Sequence, residues 1–216
     1  MRIEKEIIDV GLSITKSGLV KGTWGNISKC YEKTMWITPS GIPYEELTED
    51  AIAVIDLENE LQIGGRLKAS SEMPLHLMIY KAFPQFKAIV HTHSIYASAF
   101  AVIGQEVPCY TEDQAQIIGG NIPLAQYALP GTNQLALNTV EALKGGVYAA
   151  LLEKHGMVAV GRSLREAMTV AEIAEKSAQL ATIVRGMNSN TEPISLKEID
   201  EMRKIYLESY SKTIRE

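Results

Sequence analysis

Two of the chain's four histidines, His91 and His93, stand two apart in "IVHTHS" at residues 89–94. The run before them, "FKAIV", reads as a strand, in which side chains alternate between faces. The spacing therefore predicts two imidazoles on one side of that strand. Taken alone, such a pair fits either two hydrogen-bonded or solvated histidines or half of a metal site. His155 adds a third imidazole, at the predicted strand end in "LLEKHGMVAVG". Strand ends and the loops they feed are where α/β folds build their sites. Three neutral imidazoles on a divalent cation leave a position open for substrate, the layout of a catalytic zinc site. Cys30 and Cys109 lack the close pairing of a thiolate site.

Glu72 follows Ser70 and Ser71 at the start of a predicted helix, "SSEMPLHLMIYKAF". A carboxylate there reads either as a capping glutamate, favoured by the helix dipole, or as a general base beside a metal. A base in that position removes a proton α to a carbonyl when a cation stabilises the enediolate. His76 lies four residues after Glu72 and is read as structural, because His91, His93 and His155 already complete a ligand set. Three segments have the composition of anion-binding turns: "GTWGN" at 22–26, "TPSG" at 38–41, and the serine pair at 70–71. Each is equally an ordinary turn. No nucleotide-binding glycine fingerprint is present in the sequence.

The elements that must hold these residues read in alternation. Ile3, Ile7, Val10 and Ile14 mark an amphipathic helix ending near Gly18. A strand–turn–strand precedes "TPSG", and "AIAVIDL" is a further strand. "SIYASAFAVIG" and "TNQLALNTVEALKGG" are helices, and residues 107–131 are mixed short strands and loops. Ser163 and Glu166 make a capping-box pattern that opens a helix carrying Leu164, Ala167, Ala171, Ala174, Ala178 and Ala181 at three–four spacing. That stripe predicts close packing against a sheet or helix. "NTEPISL" at 190–196 reads as a mobile connection to a last helix and tail. The interleaving predicts one α/β layered domain over residues 1–216.

The 216 residues, 46% of them hydrophobic, support a sizeable core. A net charge of −5 with no basic cluster argues against nucleic acid as a partner. No apolar run is long enough to span a bilayer, and the N-terminus lacks a signal-peptide core. Two cysteines point to free thiols and a cytoplasmic setting.

The segments "GTWGNIS", "ITPSGIPYEEL", "SSEMPLHLMIY", "AIVHTHSIYASAFA" and "LLEKHGMVAVGRSLREAMTVAE", in that order, resemble the class II aldolase/adducin family. Within it the likeness is to the L-fuculose-1-phosphate aldolase branch, and it covers nearly the whole chain. The resemblance implies a three-layer α/β/α sandwich and a homotetramer with sites at subunit interfaces. It implies Zn2+, or another divalent cation, on His91, His93 and His155. Glu72 matches the acid/base, and Asn26, Ser40, Gly41, Ser70 and Ser71 match the pocket for the substrate phosphate. Tyr210 matches a C-terminal tyrosine that reaches a neighbouring subunit's site. The implied reaction is cleavage of a ketose 1-phosphate to dihydroxyacetone phosphate and an aldehyde, through a metal-stabilised enediolate. A second acid/base is also implied, and Tyr110, Glu112 and Asp113 all fall near its position. An L-ribulose-5-phosphate 4-epimerase, a methylthioribulose-1-phosphate dehydratase and a decarboxylating relative are the enzymatic alternatives. A non-enzymatic adducin-like head is disfavoured, because the three histidines are all present.

Overall fold

The computed structural model describes residues 2–187 and 191–210. Helix α1 (Ile3–Lys16) leads into strands β1 (Asn26–Tyr31), β2 (Thr34–Ile37), β3 (Ala53–Asp56) and β4 (Gln62–Gly64). Helix α2 (Met73–Ala82), strand β5 (Ala88–Thr92) and helices α3 (Ile95–Val102) and α4 (Glu112–Ile117) follow. Then come β6 (Leu124–Ala125), α5 (Asn133–Leu143), β7 (Ala149–Leu152), β8 (Gly156–Gly161), α6 (Leu164–Gly186) and α7 (Leu196–Ile205). The strands form one sheet in the order β4-β3-β2-β1-β5-β8-β7-β6. Neighbours are antiparallel, except that β6 and β7 are parallel.

Adjacent residues of β1 show how the layers form. Lys29 Nζ donates to Glu6 of α1, whereas Ser28 Oγ bonds the Tyr80 hydroxyl of α2. Successive strand residues face opposite ways, so α1 and α2 lie on opposite sides of the sheet. Helix α1 packs against α6, which also covers β5 and β8 and meets α3. Helix α2 packs against α5, which covers β6 and β7. The result is the expected α/β/α sandwich. Strand β5 lies at its centre with all five residues buried.

The predicted small-residue stripe does the packing. Ala167, Ala171, Ala174, Ala178 and Ala181 are all fully buried along α6. Ser163 accepts from the Glu166 amide, but the Glu166 carboxylate turns to the Arg162 amide and guanidinium. A full-charge partner outcompetes the reciprocal half of the capping box there. The complete box forms instead at Ser195 and Glu198, opening α7.

Three expectations need correction. Residues 112–117, read as part of a loop-rich stretch, form α4, which packs against α7 and so draws its order from tertiary contact. Strand β4 was not anticipated; it is short and mostly exposed, with little apolar pattern to see. The 190–196 connection is not free along its length. Residues 188–190 lie outside the described residues, but the Ile194 amide donates to the Cys109 carbonyl at 2.8 Å, and Ile194 packs beside Cys109 and Ile199. Both cysteines are free and buried, and among the described residues no helix is long and apolar enough to cross a membrane.

Replacing a fully buried alanine with leucine in this seam overpacks it. Ala174→Leu is expected to lower stability by about 1–3 kcal/mol, read from the midpoint of urea unfolding.

Candidate metal centre

His91 lies within β5, hydrogen-bonded on both sides by β1 and β8, so burial forces its ring to find partners. Its Nδ1–H donates to the Met157 carbonyl at 2.8 Å, which turns Nε2 toward the end of the sheet. His93 stands just past the end of β5, and its Nε2 lies 2.9 Å from His91 Nε2. His155 enters from the β7–β8 turn. The three ring centroids are 4.8–4.9 Å apart and the planes are steeply inclined. Gly156 permits this approach: a Cβ there would sit 2.4 Å from the Thr92 carbonyl and 3.1 Å from His93 Cδ2.

Glu72 immediately precedes α2 but does not cap it. Its Oε2 lies 2.9 Å from His91 Nε2, and its Oε1 lies 3.5 Å from His155 Nε2. The capping reading of Glu72 therefore fails. Oε1 is buried and has no hydrogen-bond partner. One donor atom each from Glu72, His91, His93 and His155 lies within 4.8 Å of all the others.

Three imidazoles and a carboxylate converging on one point bring together electron pairs that a shared proton or a bound cation reconciles. The titration behaviour follows from that crowding. Burial holds the His93 ring down to about 3, with His91 and His155 adding to the effect. Burial and then His91 lower His155 to about 4. Burial opposes charge on His91 too, but the Glu72 carboxylate outweighs it and raises the ring's pKa. For Glu72, burial works upward, while His91, His155 and the Asn26 amide hold the carboxyl well below its usual range. Glu72 thus favours a proton on His91 Nε2, 2.9 Å from its Oε2. With three imidazoles and a carboxylate as donors, the group fits a divalent first-row metal.

The structure brings together beside this centre the three segments whose composition suggested anion-binding turns. Asn26, Ser40, Gly41, Ser70 and Ser71 line one cleft of about 350 Å³ with Glu72, His93 and His155. The Ser71 amide donates to Ser40 Oγ at 3.0 Å, and the Ser70 amide to the Thr38 carbonyl at 3.1 Å. Trp24, Gly25 and Pro130 also line it, and Pro130 carried no recognisable signal in the sequence. Among the described residues neither Lys nor Arg does, so the wall offers an anion hydroxyls and backbone N–H groups. The Asn26 amide is engaged inside the protein: Nδ2 donates to Glu72 Oε2 at 3.0 Å, and Oδ1 faces His76 Nε2 at 2.5 Å. His76 is fully buried and does not join the metal group; burial brings it to about 3, so its ring is neutral.

Tyr110, Glu112 and Asp113 do not line the cleft. Asp113 pairs with Lys176 of α6. The Tyr210 side chain and residues 211–216 lie outside the described residues.

Residues 5–182 match the family model for the class II aldolase and adducin N-terminal domain. The chain belongs to the class II aldolase/adducin family. The L-fuculose phosphate aldolase of Escherichia coli K12 is 36% identical over 198 residues, covering 92% of this chain and 91% of that protein. The 5-deoxy-D-ribulose 1-phosphate aldolase of Bacillus thuringiensis is 36% identical over 203 residues, covering 93% and 92%. The L-ribulose-5-phosphate 4-epimerase UlaF of Salmonella typhi is 30% identical over 207 residues, covering 89% and 90%. A solved L-fuculose 1-phosphate aldolase superposes with a TM-score of 0.91 at 30% identity, covering 95% of this chain and 96% of that one. The chain is thus an enzyme of a family whose named relatives include aldolases, and its His/Glu cluster is a divalent-metal site.

Zinc and a proton compete for His91 Nε2, and the Glu72 carboxylate favours the proton. Calorimetry in buffers of different ionisation enthalpy is expected to show proton release on zinc binding that shrinks as the pH is raised. Gly156→Ala, which pushes His155 away from His93, is expected to weaken zinc by at least about tenfold in the same titration.

Proposed function

We propose that the chain is a zinc-dependent aldolase that cleaves an L-fuculose-1-phosphate-like ketose 1-phosphate to dihydroxyacetone phosphate and an aldehyde. The observation that carries this reading is the single carboxylate, Glu72, held against three imidazoles at the edge of a cleft lined with hydroxyls. His91, His93 and His155 are the zinc ligands, and Glu72 is the acid/base. Bound there, a divalent cation supplies a Lewis acid for the substrate's carbonyl and hydroxyl oxygens and so eases loss of the α-proton.

Ser40, Gly41, Ser70 and Ser71 take the phosphate, with Asn26 at the border between that end and the metal. In the cleavage direction a base removes the proton of the C4 hydroxyl, and the C3–C4 bond breaks to release the aldehyde. Glu72 then delivers a proton to C3, which becomes the hydroxymethyl carbon of dihydroxyacetone phosphate. In the reverse direction Glu72 takes that proton. Among the described residues, the cleft offers the C4 hydroxyl no tyrosine and no second carboxylate. This supports a homotetramer in which a neighbouring subunit supplies that group from the Tyr110–Asp113 segment, with Tyr210 closing the site from the C-terminus.

The 4-epimerase is the second reading, supported by the UlaF likeness and by the acidic pair Glu112–Asp113. Proton exchange separates the two. Zinc-loaded enzyme in heavy water is expected to exchange one hydroxymethyl hydrogen of dihydroxyacetone phosphate stereospecifically, followed by NMR. Chelation abolishes the exchange, and Glu72→Gln lowers it by about 10²–10⁴-fold at saturating zinc, which the three histidines still hold. No exchange by the zinc-loaded protein, with turnover of L-ribulose 5-phosphate, would establish the epimerase instead.

The second acid/base is not needed for that exchange. Of Tyr110→Phe, Glu112→Gln and Asp113→Asn, the variant that removes it is expected to exchange normally yet cleave a ketose 1-phosphate about 10²–10⁴-fold more slowly in a coupled assay.

A further inference from the structure

Five buried polar side chains run in one unbroken line from the helix layer to the metal centre. Tyr80 Oη lies 2.7 Å from Ser28 Oγ, and Ser28 Oγ lies 2.6 Å from His76 Nδ1. His76 Nε2 lies 2.5 Å from Asn26 Oδ1, and Asn26 Nδ2 lies 3.0 Å from Glu72 Oε2. None of the five is more than 5% exposed: Tyr80 5%, Ser28 0%, His76 0%, Asn26 3% and Glu72 5%. The line links α2 to β1 three times, at Tyr80–Ser28, Ser28–His76 and His76–Asn26.

The chemistry of the groups fixes the direction of every bond. An ionised carboxylate only accepts, so Asn26 must turn its NH₂ toward Glu72. Its carbonyl then faces His76, which must carry its proton on Nε2. A neutral ring protonated there has a bare Nδ1, which accepts from the Ser28 hydroxyl. Ser28 has one proton to give, so its oxygen accepts from Tyr80. The donors therefore run one way, Tyr80 to Ser28 to His76 to Asn26 to Glu72, with no freedom at any step.

We propose that His76, Ser28 and Tyr80 are positioning residues that orient the Asn26 amide and thereby hold Glu72 at the metal. Without the His76 N–H, the Asn26 amide is free to rotate. Its flipped form sets a carbonyl oxygen against the carboxylate, which drives Glu72 out of place. By holding Oε2, the chain leaves Oε1 free on the side of His155. The proposal deepens the reading of Glu72 as acid/base, and its test has an arm that does not depend on substrate.

The metal-free protein is reconstituted with cobalt(II), whose visible spectrum reports its ligand set, and zinc affinity is measured by chelator competition. Glu72→Gln defines the spectrum without the carboxylate. Ser28→Ala and His76→Leu are expected to move toward that spectrum and to weaken zinc by about 10–100-fold. His76→Gln is expected to stay near wild type, because its amide both donates to Asn26 and accepts from Ser28. In the exchange assay, Ser28→Ala is expected to lower kcat about 10–100-fold with little change in KM. Wild-type cobalt spectra and zinc affinity in Ser28→Ala and His76→Leu, with only a lowered melting temperature, would overturn the proposal. So would identical spectra for wild type and Glu72→Gln. Failure of the aldolase reading shows separately, as absence of exchange by the wild-type protein, and leaves the cobalt comparison intact. If His76→Leu does not fold, Ser28→Ala, which deletes one oxygen, carries the comparison.

Discussion

The structure depends on the burial of one imidazole. His91 sits on the strand at the centre of the sheet, with β1 and β8 bonded to either side. A ring there cannot be left unpaired without a cost on the order of 1–3 kcal/mol per lost hydrogen bond. One nitrogen is satisfied by the Met157 carbonyl, across the β5–β8 ladder. The other meets Glu72 and His93, and this demand for a partner makes the site. Backbone pairing of the core strand thus sets the position of the first ligand, and the others come to it from three separate connections.

The glycines around the centre follow from that convergence. Gly25 has φ of +99°, and a Cβ on it would lie 2.7 Å from the His91 carbonyl. Gly156 is excluded from bearing a side chain by the Thr92 carbonyl. Both residues let a loop lie directly against β5 at the level of the ligands. The loop after α1 and the β7–β8 turn therefore frame the metal at backbone distance, where a larger residue would open the imidazole triangle.

Much of this was legible in the sequence, because its signals were local. The alternation of "IVHTHS" placed His91 and His93 together, and the strand–turn–strand around His155 gave the third ring its strand end. The serine pair before α2 placed Glu72 at a helix start but left its role open, since a cap and a base share the same residues. The partners of Asn26 and His76 were not legible: a contact across 50 residues between a strand and a helix leaves no local pattern. Nor was α4, a helix of six residues whose order comes from packing on α7 rather than from its own periodicity. The Ser163–Glu166 pattern was read correctly as a helix start, yet the side-chain half of the box was lost to Arg162, a competitor that a four-residue pattern does not include.

Among the described residues, the wall of the cleft beside the centre holds no lysine or arginine, while the protein as a whole carries a net charge of −5. At long range that net charge works against the approach of an anion, so attraction must come from the cleft itself. What the wall offers is a fixed set of short, directional hydrogen bonds from hydroxyls and backbone N–H groups. Recognition of that kind sorts anions by the placement of their oxygens more than by their charge. It also loses little when salt screens the solution. Such a site gains selectivity at the expense of capture speed.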